Sequence, residues 1–158
     1  MDRDWRQTAE LMGIAAIIVS LILLVYEIRQ NTLSVQSTAL QQHFDQHTSL
    51  MLARLDNPEL RAVTSKAFDG LSSLTVEELG LYGPYITNVM RNHFVAFELM
   101  QSGILPENQW LTFRESLRRG LERSTGEREF WKERRYEYTP EFQDLIDNLV
   151  TQIDDSSL

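Results

Sequence analysis

The sequence predicts an all-α protein: a long N-terminal transmembrane helix continuing into a small helical bundle of about five further helices. Three observations predict it. An uncharged apolar run occupies Leu11 to Tyr26. Apolar residues recur at helical spacing through most of the remaining chain, and no convincing alternating strand interrupts them. Seven glycines and four prolines in 158 residues leave little material for a turn-rich β fold. The organisation predicted is an anchor over 1–28, a helical soluble domain over 29–153 and a tail over 154–158 that should fray.

The run LMGIAAIIVSLILLVY covers 16 positions. At about 1.5 Å per residue it reaches roughly 24 Å, short of a hydrocarbon core about 30 Å thick. Thr8, Ala9 and Ile28 extend the tolerable stretch, and Glu10 and Glu27 can reach toward headgroups. Trp5 and Tyr26 sit where interfacial aromatics belong. The run is apolar on every side, and a small domain rarely covers a core helix all round. Val25-Tyr26-Glu27-Ile28-Arg29-Gln30 offers no small-residue cleavage pair, so the segment reads as an uncleaved anchor rather than a signal peptide. Arg3 and Arg6 precede the span and only Arg29 follows closely, which points to a cytoplasmic N-terminus and a periplasmic or extracellular body. Ala9, Gly13, Ala16 and Ser20, spaced 4, 3 and 4, line one face on which two helices could approach closely in lipid.

Residues 27–55 lack Gly and Pro, and Leu33, Ser37, Leu40, Phe44, Thr48, Met51 and Leu55 recur at helical spacing. The anchor helix should therefore run on into water. Asn57-Pro58-Glu59 suits an N-cap, a first helical position and a first-turn acid. The helix it opens should end at Gly70, with Leu60, Val63, Ala67 and Phe68 on its apolar side. Thr75-Val76-Glu77-Glu78 is a capping-box pattern. It opens a helix to about Ser102, with a bend expected near Pro84. Pro106 opens the next, with Trp110, Phe113, Leu117 and Leu121 on one face. Ser124-Thr125-Gly126-Glu127 is a second capping-box candidate, and Thr139-Pro140-Glu141 starts the last helix.

Charge and composition narrow the function. Fifteen basic against 23 acidic residues leave −8, which argues against nucleic acid as a partner. Without cysteine there is no disulfide or thiolate chemistry. Residues 107–135 carry eight basic and six acidic side chains, and 136–158 carry six acidic and no basic ones. These neighbouring segments should compensate each other. The alternative is that Arg118, Arg119, Arg134 and Arg135 face lipid headgroups or an acidic partner.

LLVYEIRQNT (Leu23–Thr32), SGILPENQWLTFRESL (Ser102–Leu117) and FWKERRYEYTPEF (Phe130–Phe142) resemble a group of uncharacterised bacterial single-pass membrane proteins. The resemblance covers nearly the whole chain and implies this architecture and a bacterial source, for which a single-pass anchor would lie in the inner membrane. It carries no activity and no catalytic residue.

Chemistry has few footholds. His43 and His47, at i and i+4, share a helix face and are the candidate metal ligands. Phe44 stands where a zincin places Glu, and His93 is the only other histidine. There is no G-x-S-x-G elbow and no Gly-rich phosphate loop. No catalytic residue and no cofactor are therefore expected. Phe94, Phe97, Trp110, Phe113, Trp131 and Phe142 read as core, each lying in an apolar stripe. The expected function is a non-enzymatic interaction or scaffold module. Its partners would be the lipid bilayer and another membrane or membrane-associated protein, a second copy included. The alternative is a ligand-sensing bundle with Tyr82, Tyr85, His93 and Trp110 near a pocket, signalling through a partner.

Overall fold

The computed structural model describes residues 2–156, with side chains from Glu10 to Asp155. Six α-helices follow one another: α1 Asp2–Asp56, α2 Pro58–Lys66, α3 Val76–Gln101, α4 Glu107–Arg123, α5 Thr125–Arg134 and α6 Pro140–Ser156. Short 3-10 turns occupy Ala67–Asp69, Leu71–Ser73 and Arg135–Glu137, and there is no strand among the described residues. The all-α reading and the count of helices after the first both hold.

The chain divides into two compact units, Met1–Ala39 and Leu40–Leu158. Residues 29–39, between the expected anchor and the second unit, are helical and mostly exposed. In this first unit every large apolar side chain from Leu11 to Tyr26 is at least half exposed, from 50% at Leu24 to 69% at Met12. The hydroxyls of Ser20, Thr32 and Thr38 donate to the carbonyls one turn back, on Ala16, Ile28 and Ser34. Such bonds satisfy a hydroxyl without water. Of the small-residue face, Gly13 has open space around it, Ser20 is bonded within the helix, and the side chain of Ala9 lies outside the described residues. The side chains of Arg3, Trp5 and Arg6 likewise lie outside the described ones.

The second unit is the bundle, and its helix ends follow the chain chemistry. Asn57 accepts from the amides of Glu59 and Leu60, which starts α2. Gly70, at φ +122°, stops the 3-10 turn that follows α2 in a conformation that only glycine adopts without strain. Thr75 and Glu78 close a complete capping box on α3. Helix α3 then runs unbroken through Pro84. The carbonyl Pro84 cannot serve belongs to Gly80, an exposed residue that water can satisfy.

Trp110, Phe113, Leu117 and Leu121 bury the predicted face of α4. Phe142 of α6 is fully buried and its ring packs 5.2 Å from Phe94, 5.4 Å from Phe97 and 6.0 Å from Trp131. Burial of each such ring stabilises the fold by roughly 2–3 kcal/mol before entropy is charged. The Trp131 indole donates to Asp147, tying α5 to α6. Ile153 is buried in the last turns of α6, and the helix continues to Ser156. Residues 154–156 are therefore helical rather than frayed, and 157–158 lie outside the described residues.

Among the described residues, the expected pairing of basic and acidic segments is realised at Arg134–Glu137 and Arg135–Asp147. Arg118 and Arg119 bond instead within α4, to Glu115 and Glu122, because i, i+3 and i, i+4 partners are nearer than any other helix. All four arginines considered for headgroups or an acidic partner thus already hold a carboxylate.

Helix α5 crosses the Ala67–Asp69 turn at Gly126, where a Cβ would lie 2.5 Å from the Ala67 carbonyl oxygen. Gly80 faces open space. Gly126→Ala should therefore lower stability by about 1–3 kcal/mol, since backbone must move. Gly80→Ala should raise it by up to about 1 kcal/mol through helix propensity. Urea unfolding of the detergent-solubilised chain measures both.

Candidate functional site

The part of α1 within the bundle unit turns inward a face on which His43, His47 and Arg54 alternate with Leu40 and Leu50. His43 is buried, and His47, Leu50 and Arg54 are half-buried at the same helical spacing. Of the neighbouring apolar residues, Met51, Leu52 and Leu55 are about half exposed, and Phe44, 38% exposed, rests its ring 5.8 Å from Phe113. Imidazole and guanidinium groups thus sit on the packed side, where an amphipathic helix ordinarily places hydrocarbon. The histidines are correspondingly not surface residues.

Phe113 of α4 receives that face. Its ring lies 5.0 Å from His43, 5.3 Å from His47 and 6.5 Å from His93 of α3. Three histidines from two helices thus share one phenyl ring. The sequence spacing brought out His43 and His47, and only the packing of α3 adds His93. No group of three His, Asp or Glu side chains among the described residues is placed to hold a metal ion. The His47 Nδ1 shares a hydrogen bond of 2.9 Å with Asn92 Oδ1. Both His43 ring nitrogens, His93 Nδ1 and Asn92 Nδ2 are buried without a hydrogen-bond partner. Burial, then His47 and His43 nearby, pushes His93 down to about 3. Burial, then His47, also lowers His43. A neutral imidazole is the form that tolerates an apolar neighbour such as Phe113.

Beside this cluster α1, α3, α4 and the start of α5 enclose a cavity of about 220 Å³. Its floor is Asn92, His93 and Leu117, all buried. Its mouth is formed by exposed Met51, Ser116 and Arg119. Tyr85 and His93 of the expected pocket set line it. Tyr82 and Trp110 do not line it and are instead buried in the core, Trp110 against Phe97 at 5.7 Å.

Glu127 reaches the cavity because its capping box is only half made. Ser124 Oγ accepts from the Glu127 amide at 3.1 Å and itself donates to the Ala67 carbonyl. The Glu127 carboxylate turns away and lies over Gly120, where a Cβ would come within 2.5 Å of it. Burial pushes this carboxyl up to about 7, against the opposing pull of Arg54. Arg54 is oriented by its Nε bond to Thr64 Oγ1, 3.0 Å. Arg123 stacks on Phe68, 5.3 Å from the ring centroid. Burial, and then the Glu127 charge, raises the Tyr82 phenol. Tyr85 is raised by burial and eased by Arg54. Arg54 and Glu127 had no sequence signal for this role: one is a lone arginine on a long helix, the other looks like a cap.

No family model, curated protein or solved structure matches the chain.

The two shifted groups bias stability in opposite senses. Glu127 binds its proton more tightly in the fold than the usual 4.5, so its favourable contribution is full below that pH and lost as pH rises through about 7. His93 binds its proton less tightly, so its contribution is full above 6.5 and lost as pH falls toward 3. Glu127→Gln should therefore be more stable than the natural chain at pH 8, by on the order of 2 kcal/mol, and nearly equal to it at pH 5. Urea midpoints at the two pH values provide the comparison.

Proposed function

We propose that this chain is a single-pass membrane protein whose helical bundle works by contact with another membrane or membrane-associated protein rather than by catalysis. The observation that carries the reading is where its apolar surface lies. The 47-residue stretch Glu10–Asp56 contains an 18-residue window of mean hydropathy 2.5, none of it buried. An apolar helix left this exposed needs lipid or protein around it. The stripe of Phe44, Met51, Leu52 and Leu55 then offers a second apolar surface, on the bundle's own stretch of α1. The resemblance to bacterial single-pass proteins supports the architecture, and Arg3 and Arg6 ahead of the run against Arg29 behind it support a periplasmic body.

Two experiments test it. The intact chain should sediment with membranes and resist alkaline carbonate, and full release into the supernatant would refute the span. In membranes, crosslinking should capture a partner or a second copy. Gly13→Leu should weaken contact through the small-residue face severalfold, because close approach in lipid depends on side-chain size. Phe44→Lys with Leu55→Lys should weaken contact through the bundle stripe without altering helix content. Unchanged crosslinking in all variants would sink the interaction reading.

A further inference from the structure

We propose that the cavity between α1, α3, α4 and α5 binds a small organic carboxylate with an apolar body about the size of one aromatic ring. The inference goes beyond the interaction reading and does not rest on it.

Size comes first. A cavity of about 150 Å³ lined by apolar groups accepts benzene. In proportion, about 220 Å³ takes roughly nine non-hydrogen atoms, the number in benzoate. The chemistry of the lining is divided. Leu50, Val89, Leu117 and the Phe68 ring supply an apolar wall. Opposing it are two guanidinium groups, Arg54 and Arg123, and neither has a carboxylate within ion-pair distance among the described residues. Arg119, the third arginine, is already held by Glu115 and stands at the mouth.

The floor adds an unused donor. Asn92 is 2% exposed, its Oδ1 is taken by His47, and its Nδ2 has no partner. A buried amide left without a bond costs about 1–3 kcal/mol, which an acceptor oxygen from a ligand would relieve. A carboxylate presents such oxygens and matches a planar guanidinium edge. A neutral apolar guest would leave Asn92 and Arg54 unserved.

Glu127 sets the condition for binding. It faces Arg54 on α1, Tyr85 on α3, and Arg119 and Arg123 on α4, with His47 and His93 on the same cavity wall. When ionised it competes for the same arginines. When protonated it leaves them to the guest and can donate to it. Binding should therefore take up a proton and weaken as pH rises from 6 to 8.

The test uses the full-length protein in non-ionic detergent, with benzoate as probe and calorimetry as readout. Saturable one-site binding is expected, at least tenfold weaker for neutral benzamide, with no displacement by inorganic phosphate. Arg54→Gln should weaken benzoate tenfold or more at unchanged helix content. Glu127→Gln should tighten it severalfold at pH 8 and change it little at pH 6. Ser116→Trp, at an exposed position on the mouth, should block it, and decides the matter if Arg54→Gln fails to fold. Non-saturable uptake of benzoate, or equal binding of benzoate and benzamide, would overturn the proposal. So would saturable benzoate binding that survives Ser116→Trp, and displacement by phosphate would overturn the apolar half of the ligand class.

Discussion

The bundle is organised around the way Phe113 accepts the inward face of α1. Helix α1 brings His43, His47 and Arg54 inward, and none of these side chains is an ordinary core residue. Each is tolerated by a different device. His43 is packed against the Phe113 ring, and burial keeps its imidazole neutral. His47 keeps a bond to Asn92 at the edge of the cavity. Arg54 is too long to bury and too charged to pack, so it bonds Thr64 and borders open space. A wholly apolar face at the same place would have closed against Leu117 and Val89, leaving neither the cavity nor the outward Met51 and Leu55.

The remainder of the bundle is built more conventionally. Phe142 joins α3, α5 and α6 through ring contacts between 5.2 and 6.0 Å. Gly126 lets α5 lie directly on the turn after α2, and Ser124 ties the two together through the Ala67 carbonyl. The end of α4 has a consequence for the site. The Ser124 backbone N–H already donates to the Gly120 carbonyl, so Glu127 has no capping partner there and its carboxylate lies over Gly120 at the cavity.

Buried polar groups without partners are costly and therefore informative. Asn92 and His93 carry such groups on the floor of the cavity and His43 carries two against Phe113, while Tyr82, Gln109, Arg114 and Thr139 carry others elsewhere in the bundle. A core evolved for stability alone would replace them with hydrocarbon. The coincidence of unused donors, unpaired guanidinium groups and free volume in one place is what separates this pocket from a packing defect.

The chain's local chemistry decided the helices. Asn57-Pro58 and Thr75-Glu78 place the starts of α2 and α3 as read, because capping bonds involve only a few neighbouring residues, whereas α2 itself ends at Lys66 and Gly70 stops the 3-10 turn after it. The aromatic stripes of α3 to α6 identified the core, since period and hydrophobicity suffice to say which face turns inward when only one face is apolar. On α1 that argument misled. Two faces competed there, and the one that packs carries the polar groups, chosen by the fit of His43 and His47 to Phe113. The carboxylate of Glu127 reads as a cap in sequence, and its entry into a pocket with Arg54 depends on residues about seventy positions apart. Tail residues 154–156 stayed helical because Ile153 is anchored in the core. Local bonds are written within a few residues, whereas a cavity, a shifted carboxyl or a helix face packed through its imidazoles exists only once distant side chains have met.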